Sequence, residues 1–135
     1  MSRRTARKHA FSLVFQLGFN EACDYHKLPD IYFNNHMLND EDKKFIYEEF
    51  SGTYQNLEKI DEIIKKHIQG WNIERLNKVD LAILRLSVYE ILFVENIPAP
   101  VSANEAVELA KLYSIDDAMG FINGVLKNVI ESIKS

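Results

Sequence analysis

The chain has 135 residues, the size of a single domain, and 47% of them are hydrophobic, so it can bury a core without a disulfide or a metal. Its one cysteine excludes an internal disulfide, and its net charge of −4 argues against a general polyanion binder. No stretch reaches the roughly 18 uncharged apolar residues of a membrane span, so we expect a cytoplasmic protein.

The basic residues are concentrated at the start of the chain. The first ten residues hold four of the sixteen basic side chains and no acid: Arg3, Arg4, Arg7 and Lys8. Each cation in the first turn of a helix interacts unfavourably with the helix dipole and lowers stability by about 0.3–1 kcal/mol. Stability alone therefore does not explain this basic tip. A basic tip on an acidic body favours a small, directed contact with phosphate.

The first predicted helix runs from Arg3 to about Phe19. One side carries residues at spacings of three and four, which is typical of a face packed on a core: Ala6, Ala10, Leu13, Val14 and Leu17. The opposite side carries three aromatic and two basic residues, which are Phe11, Phe15, Phe19, Arg4 and Lys8. Clustered exposed aromatic residues indicate a partner surface, although another helix of the domain is an alternative cover for Phe11 and Phe19.

The segment between Asn20 and Asn39 is interpreted as a turn, a short helix that begins near Pro29, and a second turn. Cys23 and His26 in it have the spacing of half a zinc site, but no second ligand pair appears, so no metal is expected. The remaining histidines are scattered and are interpreted as surface residues: His9, His36 and His67.

A long helix is predicted from a cap at Asn39 or Asp40 to about Gln69. Its apolar residues step by three and four along one side. Its other side is charged and includes Glu48 and Glu49, and we interpret that side as solvated.

Two small helical bundles, about 1–70 and 71–135, are predicted to meet at a connector within one domain. The helix over residues 78–96 is apolar in nearly all directions, so it belongs in the middle of the core. Arg85 in this helix needs a partner, because an unpaired buried charge costs several kcal/mol. We expect that partner to be Glu105.

Pro98 and Pro100 predict an extended break after the central helix. The residues from Ser102 to Glu105 then have the form of a capping box, which predicts that a helix begins there. This helix is expected to end near Tyr113.

The last helix is predicted from a cap at Ser114 to about Ile133. Gly120 and Gly124 share one face of it, which allows close approach of a neighbouring helix or, alternatively, of a ligand. Phe121 lies beside the two glycines and would form a stacking platform for an unpaired base.

The sequence has no phosphate-binding loop, dinucleotide-binding glycine pattern, zinc pair or serine-nucleophile motif. Cys23 with a distant histidine is not enough for a nucleophile, and Asp116 and Asp117 are explained by the favourable effect of acids at a helix start. We therefore expect a binding module without a cofactor rather than an enzyme.

Three segments carry a resemblance to a known family: SRRTARKHAFSLVFQL at the start, VDLAILRLSVYEI in the middle and PVSANEAVELAKLYSIDDAMGFINGVL near the end. The chain resembles the NusB family of bacterial transcription antitermination factors over its whole length. The resemblance implies an all-helical fold of about seven helices, in which two small bundles share a long buried central helix. It also implies binding of the single-stranded boxA element of ribosomal RNA leaders together with the ribosomal protein NusE, in an antitermination complex on RNA polymerase.

The resemblance also implies roles for single positions. Those expected at the RNA are Arg3, Arg4, Arg7, Asp117 and Phe121, and those expected at NusE are Phe15, Glu74 and Asp80. Three departures from the family pattern matter: Thr5 interrupts the basic run, Phe15 replaces a common tyrosine, and Asp80 is shorter than the usual glutamate.

Two other roles are open for this sequence. A similar domain forms the amino-terminal part of some ribosomal RNA cytosine methyltransferases, so a stand-alone ribosomal RNA-binding domain is one alternative. A purely protein–protein helical adaptor is the other. DNA recognition by a helix-turn-helix is disfavoured, because no second helix carries basic base-reading residues. Without NusE we expect a monomer or weak self-association.

Overall fold

A computed structural model describes residues 1–19, 25–68, 70 and 72–134 of the chain. In these residues it has seven α-helices, one 3-10 turn and no strand, which confirms the predicted all-helical fold. None of the described helices is long and apolar enough to span a membrane. The elements are α1 (Arg3–Gln16), α2 (Leu28–Asn34), α3 (Asp40–Gln55), α4 (Leu57–His67), the 3-10 turn (Ile73–Arg75), α5 (Lys78–Phe93), α6 (Ala99–Tyr113) and α7 (Ala118–Lys134).

Helix α5 is the centre of the fold. Ten of its sixteen residues are buried, and α1, α3, α4, α6 and α7 all pack against it. Because its apolar side chains point in several directions, each surrounding helix can bury an apolar face on it. Gly52 of α3 lies against the ring of Tyr89 in α5, and a methyl group on Gly52 would overlap that ring. This pair therefore fixes how closely α3 approaches α5.

Two helix boundaries differ from the prediction. The predicted long helix is split at Asn56 into α3 and α4, because the Asn56 side chain donates to a carbonyl oxygen of the preceding turn and its backbone leaves the helical region (φ −109°, ψ 17°). Helix α6 begins at Ala99, before the predicted capping box, because proline is tolerated in a first helical turn. Ser102 therefore lies inside α6, where its hydroxyl donates to Glu90.

Arg85 lies on the side of α5 that faces α4. Its Nε and Nη2 donate to Asp61 Oδ1 and Oδ2, each at 2.9 Å, and form a bidentate, largely buried ion pair. The predicted pairing of Arg85 with Glu105 is therefore wrong. A helical wheel indicates the direction in which Arg85 points, but it does not identify the helix that covers that side.

We expect Asp61→Ala to lower the free energy of unfolding by about 1.5–3 kcal/mol, because it leaves the Arg85 guanidinium without its acceptor. Adding Arg85→Met should recover part of that loss. Urea denaturation of both single variants and the double variant measures the coupling energy, and the same cycle with Glu105→Gln in place of Asp61→Ala is the control. Coupling of Arg85 to Glu105 but not to Asp61 would contradict the observed pairing.

Candidate nucleic-acid interface

Arg7 is the centre of a buried ionic cluster behind the basic tip. It is 6% exposed, and its Nε donates to Glu90 Oε2 at 2.8 Å and its Nη1 to Glu105 Oε1 at 3.4 Å. Ser102 Oγ donates to Glu90 Oε1 at 2.7 Å. Arg7 thus ties α1 to α5 and α6, and its expected contact with phosphate is replaced by a structural role. The sequence contained a signal for this burial, because Arg7 lies one turn before Ala10 on the core side of α1.

Glu49 of α3 adds a second carboxyl group to this cluster. It is 2% exposed, and burial, together with the hydrogen bond to Glu90 and the charge of Glu90, raises the pKa of Glu49 to about 10. Burial alone would also raise the pKa of Glu90, but hydrogen bonds from Glu49 and Arg7 outweigh it and lower that pKa. Glu49 is therefore the neutral member of the pair at pH 7. Its Oε1 has no hydrogen-bond partner among the described residues, and its predicted place on a solvated side is wrong.

The exposed cations of the basic tip are Arg3 and Arg4, with Lys8 partly exposed beside them. Arg4 binds Glu105 through Nε and Nη2, with a shortest contact of 2.8 Å, yet 55% of its side chain is exposed. Arg3 has no ion pair within the described part of the chain, and its guanidinium carbon lies 4.1 Å from the centre of the Phe45 ring. These side chains are therefore held by neighbours while their charge still faces solvent.

Two neighbouring cavities border the basic tip, one of about 680 Å³ and one of about 240 Å³. Both are lined by Arg4, Arg7 and Glu105. The smaller cavity is also lined by Lys8 of α1 and by Lys111 of α6, which pairs with Glu108. A surface on which basic side chains outnumber acidic ones therefore extends from the start of α1 along the line where α1 and α6 meet, which we call the α1–α6 seam.

An aromatic row continues along the α1–α6 seam. The rings of Tyr113 and Phe11 are stacked with centres 5.0 Å apart, and Phe15 lies between Phe11 and Phe19 at 6.0 and 4.8 Å. Phe11 is only 5% exposed, so its expected direct contact with a partner is replaced by support of the neighbouring rings. Phe15 is half-buried and Phe19 is 59% exposed. The exposed part of the row therefore consists of Phe15, Phe19 and Tyr113.

The starts of α5 and α7 meet at the far end of the seam. Asp80 is buried there and accepts a hydrogen bond from Ser114, which ends α6 rather than capping α7 as predicted. Asp80 therefore fixes the end of α6 to α5, and its expected direct contact with NusE is replaced by that structural role. The exposed Asp117 and the half-buried Phe121 line a cavity of about 280 Å³ together with Asp80. Glu74, in the 3-10 turn, is exposed.

One face of α7 is uncovered beside this cavity. Gly120 and Gly124 are exposed, and no atom lies within 4 Å of the place where a side chain would begin at either position. The sequence allowed these glycines to mark the close approach of a neighbouring helix, but no described helix packs against them. An exposed glycine inside a helix is less favourable than alanine by about 0.5–1 kcal/mol, and no contact within the described chain offsets it.

Sequence reasoning missed the contributions of Glu49, Phe45 and Tyr113. Glu49 shares a side of α3 with the buried Ile46 and Thr53, so the helical period contained a signal for its burial. The places of Phe45 and Tyr113 depend on how α3 and α6 lie against α1. Helical periodicity does not encode that arrangement.

The described residues contain no group of three or more metal-ligating side chains. His9 is not a simple surface residue, because it shares a hydrogen bond with the Tyr32 hydroxyl and its ring centre lies 5.4 Å from that of His36. Cys23, one half of the candidate zinc pair, lies outside the described residues.

Comparison with known protein families and curated sequences gives consistent matches. The model of the NusB family matches residues 4–131. The transcription antitermination protein NusB of Natranaerobius thermophilus is 49% identical, with 98% of this chain and 97% of that protein covered. The protein of the same name from Clostridium novyi is 42% identical, with 98% of this chain and 100% of that protein covered.

Solved structures show the same fold. T. maritima NusB has a TM-score of 0.89 and 30% sequence identity, and the match covers 97% of this chain and 92% of that one. A crystal structure of the antitermination factors NusB and NusE in complex with dsRNA has a TM-score of 0.84 and 26% identity, with 96% of each chain covered.

Glu49 should make stability depend on pH. Its pKa is higher in the folded state, so unfolding releases its proton above about pH 4, and the free energy of unfolding should fall by up to ~1.4 kcal/mol per pH unit until about pH 10. In Glu49→Gln the amide keeps a hydrogen bond to Glu90 without titrating. We therefore expect the free energy of unfolding of this variant, measured by urea denaturation, to be higher than that of the wild type at pH 8. We also expect it to change less between pH 6 and pH 9. The exposed Glu48→Gln is the control, and parallel wild-type and Glu49→Gln curves would disprove the assignment.

Gly124→Ala should raise the free energy of unfolding by about 0.5–1 kcal/mol, because the added methyl group meets open space on a helix. Gly52→Ala is the counterpart and should destabilise the protein, because its methyl group overlaps Tyr89. Thermal unfolding of both variants tests the pair. A destabilised Gly124→Ala would mean that α7 is covered by part of the chain.

Proposed function

This chain belongs to the NusB family of transcription antitermination proteins, and we propose that it binds RNA and NusE over one continuous surface. The α1–α6 seam is the observation that supports this proposal most directly, because it joins cations at one end to an aromatic row and to the open face of α7 at the other. The related structure of NusB and NusE with dsRNA contains both kinds of partner.

Phosphate groups of the RNA are assigned to Arg3, Arg4 and Lys8. Arg3 has no ion pair with a described residue, and more than half of the Arg4 side chain is exposed. Glu105 is shared by Arg4 and Arg7, so it neutralises Arg4 only in part. The three side chains thus present a net positive charge at the start of α1.

Unpaired bases of the same RNA are assigned to Asp117 and Phe121 at the far end of the seam. The Phe121 ring offers a stacking surface, and Gly120 and Gly124 let the bound strand approach the backbone of α7 closely. The Asp117 carboxylate can accept a hydrogen bond from the exocyclic amino group of a base. Its negative charge makes a phosphate contact unfavourable at that position.

NusE is assigned to the aromatic row. Phe15, Phe19 and Tyr113 offer an apolar contact, and the exposed Glu74 offers a charged one. Phe11 supports the row from beneath. Because position 15 is a phenylalanine rather than the tyrosine common in the family, this contact is apolar without a hydroxyl hydrogen bond. In the absence of NusE, the same rings favour a monomer or a weakly self-associating protein.

The two partners are expected to depend on each other. Three phosphate-binding cations alone give weak and salt-sensitive affinity, so NusE must add contacts before the RNA is held tightly. The preferred RNA is assigned as the boxA element, and the assembly is assigned to the antitermination complex on RNA polymerase. The proposed role is binding, and no catalytic step belongs to it.

Fluorescence anisotropy with labelled boxA RNA tests this function. The comparison includes a scrambled single strand of the same composition and an RNA duplex, each with and without NusE. We expect the highest affinity for boxA when both proteins are present. Equal binding of boxA and scrambled RNA in both conditions would refute the proposal.

Arg4→Gln should weaken RNA binding several-fold and reduce the slope of log affinity against log salt by about 0.7, the value for one phosphate contact on a single strand. NusE binding should remain unchanged, because Arg4 lies away from the exposed rings. Lys65→Gln removes a similarly exposed charge from α4 and is the matched control. Loss of RNA and NusE binding together would contradict the separation of the two contacts.

A further inference from the structure

We propose that Phe45 is a stacking site for one unpaired base of the bound RNA, within the large cavity at the start of α1. This inference rests on the proposed RNA-binding function. It adds a base contact at the end of the surface where only phosphate contacts have been assigned.

The ring of Phe45 is partly accessible and lies beside an exposed cation. Phe45 is half-buried on α3, and the guanidinium carbon of Arg3 lies 4.1 Å from the ring centre. The buried Arg7 lies 5.6 Å from the same ring and is itself fixed by Glu90. The aromatic surface is therefore positioned by a rigid neighbour, while the side chain above it is free of ion pairs with the described residues.

The cavity offers an aromatic surface as well as charge. Its lining includes the rings of Phe45 and Tyr89, and it combines four cations with three charged acids: Arg3, Arg4, Arg7 and Lys44, and Glu41, Glu48 and Glu105. A flat base can stack on such a ring while its own phosphate group meets the cations. The volume of about 680 Å³ is sufficient for a base with its ribose.

Glu49 lines the inner side of the same cavity. It is nine-tenths or more buried, and its Oε1 is enclosed and has no hydrogen-bond partner among the described residues. Because Glu49 is neutral at pH 7 and hydrogen-bonded to Glu90, it does not repel a nucleotide. A nucleotide in this cavity would therefore meet the Phe45 ring and the cations rather than the Glu49 carboxyl group.

A base can replace the Arg3 guanidinium on the Phe45 ring. Stacking of a base on an aromatic side chain is stronger than the contact of an exposed arginine with the same ring. A base arriving on Phe45 therefore displaces the guanidinium of Arg3. Arg3 remains next to the nucleotide, where it can bind the phosphate of that nucleotide. One movement then produces both a base contact and a phosphate contact.

The test compares boxA RNA affinity in the presence of NusE for three variants. Phe45→Leu removes the ring and keeps an apolar side chain, and we expect it to weaken binding about tenfold. Phe45→Tyr keeps the ring and should bind like the wild type. Phe33→Leu is the matched control, because Phe33 is also half-buried with a cation, Lys43, 6.0 Å from its ring, but lies on α2.

Photocrosslinking of the wild-type protein is the second measurement, and it does not depend on the folding of a variant. BoxA RNA carrying 5-iodouracil at successive positions should crosslink to a peptide that contains Phe45. The stacking site alone would be overturned if the wild type binds boxA and Phe45→Leu binds it with the same affinity. It would also be overturned if the wild type binds boxA but no position of the RNA crosslinks to the peptide that contains Phe45. Failure of the wild type to prefer boxA with NusE would instead overturn the proposed function.

Discussion

The buried ion pair between Arg7 and Glu90 is the constraint on which the rest of the structure depends. A charged side chain inside a helical core is tolerated only when its charge is balanced and its donors are satisfied. Glu90 and Glu105 meet both needs, and Ser102 holds Glu90 in place. The pair joins residues 83 positions apart, so α1 cannot slide along α5 without breaking it. The position of the exposed cations one turn earlier follows from it.

The centre of the fold could be predicted because its signal is local. The segment that forms α5 is apolar on nearly every side, and such a helix can only be surrounded by others. The places where prediction failed depend on packing between helices. Arg85 pairs with Asp61 because α4 covers that side of α5, and Ser102 faces Glu90 because α6 begins earlier than its capping pattern indicates.

The candidate site shows the same division between local and tertiary information. Arg7, Phe11 and Asp80 were expected to touch a partner, but each is buried and held by a side chain of another helix or its end. Arg7 is bound by Glu90, Phe11 is covered by Tyr113, and Asp80 is bound by Ser114. Residue type and helical position indicated the correct region in each case. Burial could not be read from them, because it depends on which side chain of another helix comes to lie on top.

Helix α6 has a consequence for the length of RNA that this surface can accept. Glu105 in the middle of this helix is bound to α1, and Ser114 at its end is bound to α5. The nine residue steps from Glu105 to Ser114 span about 14 Å at the usual rise of 1.5 Å per residue. A helix anchored at these two points holds the proposed phosphate contacts of α1 at a fixed distance from the proposed base contacts of α7, so the protein rather than the flexible strand sets the number of nucleotides between them.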